Sequence, residues 1–161
     1  MWRLKMERIN FYDVDPEYLS YMQNIDSKVP NHNYDTHDKI YCGVVLKMNN
    51  CNYLAPLSHF NRSQATNFII RDYHNRDISS LRFCFMIPVL DNVIHITDLD
   101  SVDNAYAGLL HTELAYCRQN IDKIYRGAHR TYSYGTNPNH RLYRNCCDFH
   151  KLEEEYRKFH V

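Results

Sequence analysis

Two adjacent asparagines, Asn49 and Asn50, stand between two short β-rich runs, Gly43 to Leu46 and Tyr53 to Leu57. Asparagine tolerates the left-handed backbone conformation, and a two-residue turn of that hand matches the right-handed twist of paired strands. The spacing therefore predicts a tight antiparallel hairpin. Such pairing brings the entrance of the first strand beside the exit of the second. Lys39 is expected near Ser58 and His59, although the three are far apart in sequence. A cation, a hydroxyl and an imidazole at one hairpin end suit phosphoryl chemistry, where charge must be stabilised and protons moved near neutral pH.

The rest of the chain reads as strands first and helices late. Ile9 to Tyr12 is an expected first strand, and Asp15-Pro16 opens a helix carrying Tyr18, Leu19, Met22 and Ile25 that Pro30 ends. Asn31 to Asp38 is an expected polar loop. Phe60 to Ser80 is polar, with a short strand at Phe68 to Ile70, and a second hairpin is expected from Leu81 to Val89 and Val93 to Thr97. From about Asp103 a single helix is expected through Tyr106, Leu110, Leu114, Cys117, Ile121 and Ile124, with Gly135 to Asn139 breaking any continuation. Asp148 is placed to cap a terminal helix with Phe149, Leu152, Tyr156 and Phe159 on one side. The pattern predicts one α+β domain over residues 1–161, built on a small antiparallel sheet. The recognisable pattern begins at Ile9, so residues 1–8 read as an N-terminal extension and Met6 as an alternative start.

At 161 residues the chain can bury a core without a disulfide or a metal. Its six cysteines have no CxxC spacing, and four lie within apolar patterns, where free cysteine behaves as a small hydrophobe. No secretory signal pattern opens the sequence, and its longest uncharged apolar run, Phe83 to Leu90, is too short to span a bilayer. A cytoplasmic protein with no membrane partner is expected.

Lys+Arg and Asp+Glu both number 19, but the balance hides a basic sector. From Lys123 to Cys147 there is no acidic residue, while Lys123, Arg126, Arg130, Arg141 and Arg144 are all cationic. Tyrosines interleave with these cations, Tyr132 among them. RNA contact uses both features: cations neutralise phosphates, and flat rings receive unstacked bases at about 1–3 kcal/mol each. Arg62, Arg71, Arg76 and Arg82, with Arg118 on the expected long helix, extend the candidate surface. Read without that surface, the same tyrosines would simply pack a solvated helix onto the sheet. Two metal readings fail. His140, Cys146, Cys147 and His150 include adjacent cysteines that point apart, and the Asp91 to Asp103 acids lack the glycine and terminal glutamate of a calcium loop. No metal and no cofactor is expected.

The ordered motifs resemble the ToxN/AbiQ family of type III toxin–antitoxin endoribonucleases (CptN/TenpN-like toxins). The resemblance rests on Ile9-Asn-Phe-Tyr12, Ile25-Asp-Ser-Lys-Val-Pro30, Tyr53-Leu-Ala-Pro-Leu57 running into a hydroxyl residue, Phe85-Met-Ile-Pro88, Asn120-Ile-Asp-Lys-Ile124 and Leu152 to Phe159. It implies a compact antiparallel β-barrel or sheet core of the Kid/MazF-like type with appended helices. It also implies a metal-independent endoribonuclease that leaves 2′,3′-cyclic phosphate and 5′-hydroxyl ends. The implied partners are a small repeated pseudoknot RNA antitoxin, processed by the toxin and held in a closed protein–RNA assembly, and cellular mRNA as substrate, with a role in phage defence. Lys39 falls on the family's active-site lysine, Ser58 on the first of its two hydroxyl positions, and Tyr34 on its active-site tyrosine. This chain departs at Ser58-His-Phe-Asn61, where the family often reads Thr-Ser-Pro-Lys. Either His59 has taken over proton transfer, or Arg62 supplies the charge of the missing lysine. The competing expectations are a non-catalytic RNA-binding module and an interaction domain using Phe83 to Val89 to dimerise.

Overall fold

The central hairpin forms as expected, in a computed structural model that describes residues 9–30, 42–101 and 104–160. Strands β2 (Cys42–Met48) and β3 (Cys51–Ser58) pair from Gly43↔Pro56 to Met48↔Cys51. Asn49 and Asn50 turn the chain with φ of 47° and 60°, the left-handed values that a two-residue turn of this hand requires. Val44, Leu46 and Met48 alternate inward to the core, with Lys47 exposed between them. Gly43 lies so close to β3 that an added Cβ would collide with the Ala55 carbonyl.

Around this hairpin stands a seven-stranded antiparallel sheet. Its other strands are β1 (Phe11–Val14), β4 (Asn67–Arg71), β5 (Asp77–Arg82), β6 (Ile87–Pro88) and β7 (Ile94–Ile96). The order is β4-β5-β3-β2-β1-β7, with β6 paired to β3 alongside. The sheet is open, with β4 and β7 at its two ends, so the barrel alternative of the sequence reading is not closed.

The second hairpin is not where the sequence pattern puts it. Strand β5 ends at Arg82, a 3-10 turn follows at Phe83–Phe85, β6 joins β3, and β7 joins β1. The actual hairpin is β4–β5, with Phe68↔Leu81 and Ile69↔Ser80 in register. Its turn is built by Asp72, whose carboxylate accepts from the backbone N–H groups of His74 and Arg76 and from Arg76 Nε, while Asn75 takes φ 60°. Those contacts hold the Asp72 carboxyl below its ordinary range. Phe83, Cys84, Met86, Ile87 and Val89 are buried in the core, which removes Phe83 to Val89 as a dimerisation face.

The helices are α1 (Pro16–Ile25), α2 (Asn104–Gln119), α3 (Ile121–Gly135) and α4 (Phe149–Glu155). The expected long helix is thus two. The chain breaks at Asn120, whose φ of −124° lies outside the helix and whose amide donates to Tyr116 O at 2.8 Å. The apolar rhythm continues across the break and conceals it. Asp148 caps α4 as read, accepting from Lys151 N.

The two chain ends are fastened to each other. Phe159 packs edge-on against Tyr18 and Tyr21 at 5.1 and 5.2 Å, and Tyr21 Oη donates to Glu155 O. Asp148 N donates to Asp26 Oδ2, and Lys28 Nζ to Cys146 O. On α4, Glu153 accepts from Tyr53 Oη at 2.5 Å, Tyr132 Oη at 2.7 Å and Asn49 Nδ2 at 3.1 Å, binding helix, hairpin turn and α3 together. All six cysteines are free and buried, and burial pushes the thiols of Cys42 and Cys146 up to about 12. No helix among the described residues is long and apolar enough to cross a membrane.

Candidate functional site

At the end of the hairpin opposite its turn, β3 leaves β2 and pairs with β5 through Leu57↔Leu81 and Ser58↔Ser80. The chain then bends sharply, and hydrogen bonds fix the bend. Phe60 N donates to Ser58 Oγ at 3.1 Å, so the serine oxygen is already an acceptor and its own proton is free to be given elsewhere. Buried Ser80 donates from Oγ to Phe60 O at 2.6 Å, and Asn61 Nδ2 donates to Asp77 O. His59 is exposed on this bend. The entrance to β2 lies at the same end of the sheet, since Gly43 pairs with Pro56. Lys39 and Tyr34 fall outside the described residues.

Cations gather beside the bend. The Arg82 guanidinium sits 4.4 Å from the Phe60 ring centroid and 4.6 Å from that of Phe85, and Arg62 lies 5.8 Å from Phe60. Such contacts are worth roughly 0.5–2 kcal/mol and fix the guanidinium plane. Across from Arg82 in the β4–β5 ladder is Asn67, which lines a cleft of about 330 Å³ together with Phe68, Phe83, Lys123, Arg126, Gly127 and Arg130. Helix α3 supplies the cations. Lys123, Arg126 and Arg130 recur at three- and four-residue spacing, so one helical face presents all three, each exposed. Gly127 lets that helix descend onto the sheet, because a Cβ there would stand 2.7 Å from the Phe83 ring. The cleft has an aromatic floor and a cationic wall, and no acidic residue lies from Lys123 to Cys147 to neutralise it.

Several residues expected on this surface do other work. Arg118 ties α2 to the start of β1, donating to Ile9 O and Asn10 Oδ1 at 2.8 Å each. Arg71 pairs with Asp77 at 2.9 Å across the β4–β5 ladder. Tyr132, half-buried, stacks on Phe149 and donates its hydroxyl to Glu153, contacts that help pack the fold. Arg141 and Arg144 are exposed on the segment after α3. Residues that sequence reading missed include Phe60, Ser80 and Asn67. Only Ser79-Ser80 carried a signal, two hydroxyls between Ile78 and Leu81; Phe60 and Asn67 acquire their roles from the fold.

Comparison with known proteins places this geometry in context. A family model described as Toxin ToxN, type III toxin-antitoxin system, matches residues 10–157. The sequence is 29% identical over 161 residues to Endoribonuclease ToxN of Bacillus thuringiensis subsp. kurstaki, covering 92% of this chain and 83% of that protein. A solved structure reported as selective toxin inhibition by a non-coding RNA pseudoknot superposes with a TM-score of 0.83 at 27% identity, covering 94% of this chain and 98% of that chain. AbiQ, a lactococcal anti-phage endoribonuclease, superposes with a TM-score of 0.81 at 24% identity, covering 94% of this chain and 98% of its own, a likeness of fold.

Proposed function

This chain belongs to the ToxN toxin family of type III toxin–antitoxin systems, and we propose on that premise that its cutting site is the Ser58 bend and its RNA-holding surface the cleft under α3. It is an endoribonuclease toxin whose antitoxin is a non-coding pseudoknot RNA, with a role in phage defence. The observation that carries the proposed placement is the continuity of the two features. Ser58 pairs with Ser80, two residues further along β5 is Arg82, and opposite Arg82 is Asn67 on the cleft wall.

The reaction we assign is transesterification. The ribose 2′-oxygen attacks phosphorus as its proton leaves, the bond to the 5′-oxygen breaks, and that oxygen takes up a proton. Products are a 2′,3′-cyclic phosphate and a 5′-hydroxyl, with no metal required. Ser58, its oxygen already engaged by Phe60 N, donates its proton in a hydrogen bond to a non-bridging oxygen. His59, exposed on the same bend, moves a proton as base or acid. Lys39 holds the phosphate, and Tyr34 joins it, as the family resemblance implies. Substrate is single-stranded cellular mRNA; the antitoxin is processed at the same site and retained in a closed assembly with the toxin. On the same reading the sheet is a Kid/MazF-like barrel left open. Strand β3 pairs with β2 as far as Pro56, with β6 at Tyr53 and Leu54, and with β5 at Leu57-Ser58, a change of partner of the kind that a curling sheet needs.

The test is to incubate RNA-free protein with mixed cellular RNA in excess EDTA. Discrete fragments ending in 2′,3′-cyclic phosphate, absent with Lys39→Met although RNA binding persists, are the expected result. Binding without cutting would instead leave a non-catalytic RNA-binding module. Normal cutting by Lys39→Met would remove that residue from the site.

A further inference from the structure

Arg82 is held in a manner that folding alone does not explain. Its guanidinium lies between the rings of Phe60 and Phe85. One terminal nitrogen donates to the neutral amide oxygen of Gln64 at 3.3 Å, the guanidinium also interacts with the buried Cys84 thiol, and Nε is buried with no hydrogen-bond partner. Among the described residues no carboxylate pairs with it. Burying an N–H without an acceptor is destabilising. The neighbouring arginines show the ordinary solution, for Arg71 and Arg76 each have an aspartate within 3 Å. Among the described residues Arg82 lacks the counter-ion that they have.

The register says what is nearby. Ser58 faces Ser80 across the β3–β5 ladder, and Arg82, two residues beyond Ser80, rises on the same face. A diagonal pair of this kind stands about 7–8 Å apart, well within reach of an arginine side chain. Phe60 joins the two groups physically. Its backbone N–H donates to Ser58 Oγ, and its ring is one plate of the Arg82 sandwich. Hydroxyl and cation are thereby held by one residue, which buried Ser80 locks in turn through the Phe60 carbonyl.

From this arrangement we infer that Arg82 is a further catalytic residue: the terminal N–H groups of its guanidinium take the charge that builds on the non-bridging oxygens of the phosphate being cut. The inference rests on the reading of Ser58 as the cutting site. As the 2′-oxygen bonds to phosphorus and before the 5′-oxygen departs, those two oxygens carry the added negative charge. A planar guanidinium can meet both at once, which an ammonium cannot. Arg82 transfers no proton, because arginine stays charged throughout the working range. Arg62, the alternative source of charge, is exposed and stands farther from Phe60, with no second ring among the described residues to hold it.

The experiment starts from a cut mapped in mixed cellular RNA. A short oligonucleotide spanning that cut is made with a phosphorothioate of either hand at the cut phosphate, and single-turnover rates are measured. Wild-type protein should distinguish the two diastereomers. Arg82→Lys keeps the cation and the aliphatic stem; it should lower the rate by about 10²–10³-fold, the loss typical of one preorganised donor, and erase the diastereomer preference. Oligonucleotide affinity should change little. Melting curves establish that the variant is folded, and Arg82→Lys carries the test if Arg82→Ala does not fold. A merely structural arginine would lower both diastereomer rates alike and leave their ratio intact. An unchanged ratio, or an unchanged rate, in folded Arg82→Lys overturns the assignment, while loss of cutting with RNA binding retained in Ser58→Ala upholds the parent reading. Wild-type protein that binds the RNA without cutting it overturns both.

Discussion

Replacing Glu153 with alanine should cost much stability and almost no cleavage. The carboxylate accepts from three donors, and their burial sets what each loses. Tyr53 is fully buried, so its hydroxyl would be left without an acceptor at a cost of about 1–3 kcal/mol. Tyr132 is only half-buried and regains water, which limits its share to about 0.5–1.5 kcal/mol, the net worth of an ordinary hydrogen bond. Asn49 is exposed and adds nothing measurable. The total is about 1.5–4.5 kcal/mol out of the roughly 5–15 kcal/mol that such domains possess. In a chain of this size that lowers the melting temperature by roughly 10 °C. Denaturant unfolding of Glu153→Ala, Tyr53→Phe and the double variant measures it. With the carboxylate gone, Tyr53→Phe removes an orphan and should cost far less than it does in wild type, a coupling of about 1–3 kcal/mol. Because Asn49 lies at the opposite end of β2–β3 from Ser58, the rate of RNA cutting well below the melting temperature should stay at the wild-type value. Additive single effects, or a shift under about 0.5 kcal/mol, would show that the clamp does not act as described.

Two further outcomes test other parts of the molecule. Burial raises the Glu113 carboxyl above its ordinary value, against the opposing pull of the Ser79 hydroxyl; the buried thiols of Cys42 and Cys117 are its titratable neighbours among the described residues. The folded state therefore holds this proton more tightly than the unfolded state. The associated stability is complete below the unfolded value and is lost as pH rises through the folded one, at up to 1.4 kcal/mol per unit of difference. Melting temperature against pH should fall less steeply across that window in Glu113→Gln, and an identical slope would sink the explanation. Replacing Lys123, Arg126 and Arg130 together by glutamine should weaken RNA binding and lower the slope of log affinity against log salt by about 2, near 0.7 for each phosphate no longer neutralised on a single strand. A salt titration that returns the wild-type slope would move the RNA off this cleft.

Legibility in the sequence followed how local each cause was. The β2–β3 hairpin was readable because Asn49-Asn50 states the turn and its hand within two residues. The Asp148 cap and the apolar side of α4 were readable for the same reason. The β4–β5 hairpin was not, because its turn is built by the Asp72 carboxylate folding back on His74 and Arg76, while the apolar run from Leu81 onward looks like a strand and is in part a 3-10 turn. At Asn120 a helix broke under an unbroken apolar rhythm. For the site, the missing acids between Lys123 and Cys147 foretold a basic surface, but not which cations share a face with Asn67. Composition equally could not separate Tyr132, committed to Glu153, from a tyrosine that meets a base, nor Arg118, a tether, from an arginine that meets phosphate. Only pairing in space makes those distinctions. It also joins Ser58 to Arg82 through a phenylalanine that nothing in the sequence singles out.

The fastening of the first helix to the last has a consequence for how the protein is made. Tyr18 and Tyr21 on α1 meet Phe159 and Glu155, and Asp26 and Lys28 meet Asp148 and Cys146. A chain still emerging from the ribosome has the earlier partners in hand and lacks the later ones. Its α1 has an uncovered apolar side, and the hairpin turn at Asn49 has no Glu153 to grip. Synthesis proceeds at about 5–20 residues per second, so the interval between the first helix and its seal is several seconds at least. An RNA-cutting protein built in this way reaches its finished form only after the α4 segment has been made, and a copy terminated before that segment lacks the residues that close it.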